Sequence, residues 1–376
     1  MQYREFGKTG MSVSALGFGC MRFPMEGSHV KEEYTIRMLH RAYELGVNYF
    51  DTAEGYCNSE SQIVLGKAVK GMDRSKIYIS TKNGYKGDSA SEWRRRLETS
   101  LKRLDQNYID VYHSHSLGWS EFQSGFGIKK GPLFEAQKAQ HEGIIRHIAF
   151  SCHDSPANMI KLINTGVFES MTVQYNILNR ENEEAIAIAH DKGMGVSIMG
   201  TVAGGRLAQT DQEIQKLRAG IAKSSPEIAL RFVISNPGVS TALSGMNAIE
   251  QVEENVATAS RTEPLTPEEK IQVLESLEEN KKLADLYCTG CGYCMPCPNG
   301  VDIPANFLYM NYFRVYGLKD YARQLYESLK HKSLEGMDVP SWADTCVECG
   351  KCEPKCPQKI PIMDQLKETH KALSEQ

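Results

Sequence analysis

From residue 15 onward, short apolar runs rich in β-branched and aromatic residues alternate with longer stretches in which apolar positions recur every three or four residues. The short runs fall at 15–20, 49–53, 77–82, 108–115, 145–151, 171–176, 195–201 and 239–246. The longer stretches include 31–45, 91–104, 132–142, 155–165, 182–192, 226–235 and 248–260. The alternation predicts parallel strands joined by crossover helices. Eight such units in about 260 residues is the size of a (β/α)8 TIM barrel. An open, doubly wound sheet would begin with a Gly-rich dinucleotide fingerprint after its first strand, and Gly17-Phe-Gly19-Cys-Met-Arg22 does not complete one. Ahead of the first unit, the segments 3–7 and 11–14 flank Lys8-Thr-Gly10 and predict a hairpin that plugs the barrel floor.

After residue 260 the pattern changes. Pro264 and Pro267 precede a helical stretch at 268–286 with acids in its first turn, and two more follow at 305–316 and 319–333. The expected organisation is a barrel over 1–265, a connecting helix over 266–286 and a mainly α-helical module over 287–376. Eight of the eleven cysteines lie in that module, as Cys288, Cys291, Cys294 and Cys297 and as Cys346, Cys349, Cys352 and Cys356. The second run is the C-x2-C-x2-C-x3-C-P pattern of bacterial ferredoxins, and the first is one residue shorter before its last cysteine. A tetrahedral zinc site has no use for a third cysteine three residues on, nor for the proline after the last. A disulfide framework belongs to oxidising compartments and small domains. The expectation is therefore two 4Fe-4S clusters on these eight thiolates. Cys20, Cys57 and Cys152 lack ligand spacing and are expected to pack.

Composition narrows the partners. The 376 residues carry a formal net charge of −4 and no dense basic stretch, so nucleic acid is not an expected partner. Neither a signal peptide nor a long apolar span is evident, so the expected location is cytoplasmic with no membrane contact.

In such a barrel the residues that end the strands face the active site. Asp51, Tyr56 on the loop after it, Lys82 and His115 stand there. Asp51-Thr-Ala, Tyr56, Ser59-Glu60, Lys82, Tyr108-Ile-Asp-Val-Tyr, Val173-Gln-Tyr-Asn176 and Gln251-Val-Glu-Glu-Asn255 stand in this order, and with them residues 1–260 resemble the aldo-keto reductase family. The resemblance implies carbonyl reduction by hydride with Asp51, Tyr56, Lys82 and His115 as the catalytic tetrad, and it favours His115 over His113, which lies two residues earlier on the same face and could instead reach the mouth. Hydride arriving at a carbonyl carbon leaves charge on oxygen, which calls for a proton donor and a stabilising group at that oxygen. A tyrosine hydroxyl, with an ordinary pKa of about 10, is tuned by a nearby cation. Lys82 would be that cation, Asp51 its anchor and His115 a second donor.

The same resemblance implies an NADH or NADPH site across the barrel mouth. Ser151 and Gln174 match the residues that hold the carboxamide, with Cys152 where an asparagine is common. The loop containing Gly204, Gly205 and Arg206 would face the pyrophosphate, and Gln251, Glu254 and Asn255 the adenosine end. Gly245, Met246, Asn247 and Gln251 stand where NADPH enzymes of the family tend to carry cations and hydroxyls for the 2′-phosphate, so NADH is expected to be accepted at least as well as NADPH. Met199 replaces an aromatic under the nicotinamide. Phe23, Tyr85, Trp119 and Phe122 are expected to line an apolar pocket for a small-molecule carbonyl substrate.

The cysteine module resembles helical dicluster ferredoxin modules fused to redox enzymes. That resemblance implies one cluster on Cys288, Cys291, Cys294 and Cys356 and another on Cys346, Cys349, Cys352 and Cys297. It also implies a ferredoxin or other redox protein as partner. The aromatic stripe Phe307, Tyr309, Tyr312, Phe313 and Tyr316 reads as helix core. Three functional readings stand side by side: a carbonyl reductase whose clusters exchange electrons with a partner, a plain reductase with structural or redox-sensing clusters, and an electron carrier with a silent barrel.

Overall fold

The computed structural model describes residues 1–85, 87–177, 179–202, 220–261, 263–279, 288, 292–314, 319–331, 333–334, 337–338 and 340–374. The chain divides into two compact units, Met1–Val202 with Pro226–Thr266 and Ala203–Ser225 with Pro267–Gln376. In the first unit eight parallel strands close into a barrel: β1 (Leu16–Gly19), β2 (Tyr49–Asp51), β3 (Tyr78–Gly84), β4 (Ile109–His115), β5 (Ile145–Cys152), β6 (Ser170–Gln174), β7 (Gly195–Met199) and β8 (Thr241–Ser244). The barrel closes where Ala242 of β8 pairs with Leu16 of β1. Around it stand α1 (Glu32–Glu44), α2 (Ser61–Val69), α3 (Ala90–Leu104), α4 (Pro132–His141), α5 (Pro156–Asn164), α6 (Glu183–Asp191), α7 (Ser225–Ile234) and α8 (Ile249–Ala259).

All eight expected strands form, so the alternation of apolar runs was a sound guide to the (β/α)8 fold. Within the barrel, helix α2 is one the periodicity did not signal. Its Ser61, Gln62, Val64, Leu65, Gly66, Ala68 and Val69 are all buried, so it has no apolar stripe against a polar one. Gly66 explains the close fit, since a Cβ there would lie 2.4 Å from the Leu104 carbonyl oxygen at the end of α3.

The N-terminal segment forms the expected hairpin, Tyr3–Glu5 paired antiparallel with Ser12–Ser14. Its Phe6, Met11 and Val13 pack with Tyr49, Val111, Ala149 and Leu243 from the strands. The floor is thereby closed by hydrocarbon and the polar groups are left to the other end. Gly195 is required here, because a Cβ would come within 2.4 Å of the Phe6 ring.

The second unit contains α9 (Pro267–Glu279), α10 (Ile303–Arg314), α11 (Lys319–Ser328) and α12 (Ile362–Ser374). Val301, Ile303, Phe307, Met310, Tyr326 and Leu366 form its core, with Tyr309, Tyr312 and Phe313 packed partly buried against it. The aromatic stripe of α10 is therefore core for these residues, and Tyr316 lies outside the described residues. No helix among the described residues is long and apolar enough to cross a membrane.

Candidate active site and cysteine cavities

Strand register assembles the polar residues at the C-terminal mouth. Asp51 lies beside Ser80, and Lys82 beside His113. Because strand side chains alternate, Ser80 shares the inner face with Lys82, and His113 with His115. The Lys82 ammonium is paired with Asp51 Oδ2 and donates to the Thr52 carbonyl oxygen at 3.0 Å. Asp51 Oδ1 accepts from Ser80 Oγ at 2.8 Å. Lys82 Nζ lies 5.3 Å from the centre of the Tyr56 ring, and the His115 ring meets Tyr56 edge-on with centroids 6.0 Å apart.

Tyr56 is held by an unusual stretch of backbone. Cys57, Asn58 and Ser59 follow it with φ of 51°, 54° and 70°, the left-handed region that costs non-glycine residues about 1 kcal/mol or more each. Neighbours fix this turn: Asn58 Nδ2 donates to the Ser28 carbonyl at 2.8 Å, and Ser61 Oγ donates to the Cys20 carbonyl at 2.7 Å. The Glu60 carboxylate accepts from Val30 N at 2.7 Å and lies 2.6 Å from His29 Nδ1.

Electrostatics give each group a defined state. Burial would push Lys82 down, but the Asp51 carboxylate and Tyr56 beside it hold it above the ordinary lysine value. Burial raises the Tyr56 phenol, against the Lys82 ammonium that pulls it down. The phenol is therefore a proton carrier at neutral pH and not a phenolate. Burial, then the Lys82 charge, lowers His115 to about 3, which leaves a neutral imidazole with one N–H to donate. His113 differs from His115 in its partners. It is fully buried, with Nδ1 3.3 Å from Ser80 Oγ and Nε2 2.9 Å from Thr172 Oγ1. Both of its nitrogens are engaged inside the barrel, whereas His115 is half-buried against Tyr56.

The other expected site residues divide. Ser151 and Gln174 stand at the C-terminal ends of β5 and β6, both buried. Ser151 Oγ accepts from Ser116 N at 2.9 Å, and its own proton has no acceptor among the described residues. Its hydroxyl is thus suited to an oxygen of a bound molecule. Gln251 and Glu254 are exposed on α8, and Gln251 Oε1 accepts from Asn247 N at 2.9 Å. Asn255 is buried, and its Nδ2 donates to Ser244 Oγ at 3.2 Å. Gly204, Gly205 and Arg206 lie outside the described residues. A cation not foreseen is Arg22, whose stem packs over Gly245 so that a Cβ there would be 3.2 Å from Arg22 Cβ. Trp119 and Phe122 stack at 5.6 Å and join Tyr85 through Phe126, while Phe23 is 3% exposed and packs on Phe18 as core. Cys20 and Cys152 are buried, and Cys57 is half-buried.

In the second unit the cysteines surround two cavities. One, of about 200 Å³, is lined by Cys297, Cys346, Cys349 and Cys352, with Cys294 also in its wall. The other is lined by Cys288, Cys294 and Cys356. Cys291 lies outside the described residues. Gly292 and Gly350 take φ of 78° and 70°, which turns the chain tightly between successive cysteines. Cys349 is exposed, so the larger cavity has an edge at the surface.

The aldo/keto reductase family model matches residues 15–279, and the model for a 4Fe-4S dicluster domain matches residues 287–361. The chain belongs to the aldo/keto reductase family. L-galactose dehydrogenase of Arabidopsis thaliana is 28% identical over 308 residues, covering 75% of this chain and 96% of that protein. An NADH-specific methylglyoxal reductase of Escherichia coli strain K12 is 25% identical over 307 residues, covering 68% and 93%. Among solved structures, an aldo-keto reductase from Bacillus halodurans in its holo form superposes with a TM-score of 0.63 at 28% identity, covering 73% of this chain and 96% of that one. This aldo/keto reductase is thus an oxidoreductase of the family that carries, in addition, a C-terminal 4Fe-4S dicluster domain.

Proposed function

We propose that the barrel reduces an aldehyde or ketone with hydride from a nicotinamide cofactor. The observation that carries this reading is the buried Lys82 ammonium, paired with Asp51 and facing the Tyr56 ring at 5.3 Å, with the His115 ring edge-on to Tyr56 at 6.0 Å. In this reading Tyr56 gives its hydroxyl proton to the carbonyl oxygen. Lys82 offsets the charge left on the phenol, Asp51 fixes the ammonium, and neutral His115 orients the carbonyl by a hydrogen bond. Bound NADH or NADPH would supply the hydride. The strand-end oxygens of Ser151 and Gln174 fit its carboxamide, and Gln251, Glu254 and Asn255 lie on the helix assigned to its adenosine end. The Asn255 amide nitrogen gives one N–H to Ser244, so its second N–H and its carbonyl oxygen are left to contribute. We further propose that NADH serves at least as well as NADPH, since Gly245, Met246, Asn247 and Gln251 carry no charge.

For the second unit the proposal is two 4Fe-4S clusters, one on Cys297, Cys346, Cys349 and Cys352 and one on Cys288, Cys291, Cys294 and Cys356. The donor set fits: soft thiolates, none in a disulfide among the described residues, converge on shared cavities. Bound clusters would carry single electrons, and the exposed Cys349 favours exchange with a separate redox protein such as a ferredoxin. A structural share is also supported, because Cys288, Cys297, Cys346, Cys352 and Cys356 pack against the core of this unit. The division proposed is a barrel over 1–265, a connector over 266–286 and a cluster module over 287–376. The test of the catalytic reading is Tyr56→Phe, assayed by NADH and NADPH oxidation against a panel of aldehydes and ketones. Turnover should fall by about 10²–10⁴, and a variant as active as wild type on every accepted substrate would defeat it.

A further inference from the structure

We propose that His113 is a positioning residue, held as the Nδ1–H tautomer at the centre of a one-way hydrogen-bond chain from Ser197 through Thr172, His113 and Ser80 to Asp51. The inference rests on the catalytic reading of Asp51, Lys82 and Tyr56.

The chain crosses the barrel interior. Ser197 Oγ of β7 lies 2.5 Å from Thr172 Oγ1 of β6, which lies 2.9 Å from His113 Nε2 of β4. His113 Nδ1 lies 3.3 Å from Ser80 Oγ of β3, and Ser80 Oγ donates at 2.8 Å to Asp51 Oδ1 of β2. Ser80, His113, Thr172 and Ser197 are all fully buried, so water cannot rearrange the protons. A TIM barrel interior is ordinarily filled by Val, Ile and Leu. A polar layer here invites a reason beyond packing.

The direction of every bond follows from one end. A carboxylate paired with an ammonium only accepts, so the Ser80 proton points to Asp51. Ser80 Oγ has no second proton, so its contact with His113 requires Nδ1–H as donor. Burial, then the Lys82 charge, lowers His113 well below the ordinary histidine value, so the ring is neutral and Nε2 is a lone pair. Thr172 must then donate to Nε2, and its 2.5 Å contact with Ser197 Oγ takes the Ser197 proton in preference to the Met171 carbonyl oxygen 3.2 Å away. On this assignment the donors run one way, with the last aimed at Asp51 Oδ1. That bond leaves Oδ2 turned to Lys82, whose other donor bond goes to the Thr52 carbonyl. Through this pair the chain sets where the ammonium sits against Tyr56.

The tautomer is tested directly with 15N-histidine protein by long-range 1H–15N correlation, the signal being assigned by its loss in His113→Asn. The expected pattern is a protonated Nδ1 and an unprotonated Nε2, and an Nε2–H ring would overturn the proposal. The positioning role is tested kinetically. Ser80→Ala and His113→Leu should each lower kcat about tenfold with KM within about twofold, as expected when an interaction is lost in the transition state and not in binding. His113→Asn, whose amide offers a donor where Nδ1–H stood, should recover most of kcat. A residue that only packs would shift urea stability and leave kcat alone. If His113→Leu does not fold, Ser80→Ala removes a single oxygen and carries the test. Tyr56→Phe is run alongside. Should it leave turnover intact, the catalytic reading falls and this inference with it. Should it abolish turnover while Ser80→Ala keeps wild-type kcat, the inference alone falls.

Discussion

Lys82→Met perturbs two quantities that the structure allows to be separated. The first is stability. Lys82 and Asp51 are 2% and 3% exposed, so loss of the ammonium leaves a buried carboxylate whose remaining side-chain bond among the described residues is that from Ser80. Breaking a buried pair from one side costs about 3–5 kcal/mol, whereas removing both partners is often close to neutral. The second quantity is the acidity of Tyr56. Taking the 5.3 Å from the ammonium to the Tyr56 ring centre as the charge separation, an effective dielectric constant of about 20 gives about 3 kcal/mol of attraction between a developing phenolate and the ammonium, or about two pKa units. Turnover should therefore fall by at least about tenfold from this loss alone, and by about 10²–10⁴ if proton transfer limits the rate. The double variant Asp51→Asn with Lys82→Met should regain most of the stability in urea titrations but none of the turnover. If the double variant regained both, the pair would be a structural feature and the proposed tuning of Tyr56 would be wrong.

Acidification should destabilise the barrel early. His115 is lowered to about 3, and His113 and His153 are lowered too, so below about pH 6.5 the unfolded chain binds protons the folded one refuses. Stability then falls as pH drops, at up to about 1.4 kcal/mol per pH unit for each histidine, and a flat urea midpoint between pH 7 and pH 5 would contradict this. Anaerobically prepared Cys349→Ser should hold about four irons where wild type holds about eight, and an equal loss in Cys57→Ser would remove the assignment. Fluorescence titration should find NADH bound at least as tightly as NADPH. A strong NADPH preference would refute that and implicate Arg22, in which case Arg22→Ala should abolish the preference.

What could be seen in the sequence was whatever depends on spacing. Strands buried on both faces write themselves as apolar runs, and helices α1, α3 and α5 as stripes, because each has one buried face. Helix α2 escaped because it is buried nearly all round, and Ile362–Ser374 was not anticipated, although its Ile362, Leu366 and Leu373 face the core. Asp51, Lys82 and His115 were legible as polar residues ending apolar runs. Choosing between His113 and His115 from the strand alone was not feasible, since both point inward.

Ser80, Thr172 and Ser197 bear on that choice, and they left a faint trace. Each is a small hydroxyl residue at an inward position of a strand, where a packed barrel interior would place a branched hydrocarbon. Read one strand at a time, a serine or threonine in a β run is unremarkable, because it satisfies β-propensity and makes no demand on its neighbours. Only the register, which sets Lys82 beside His113 and Thr172 beside Ser197, turns isolated hydroxyls into one connected layer. That layer occupies both nitrogens of His113, so in the proposed catalytic reading the imidazole left to meet a carbonyl oxygen is His115.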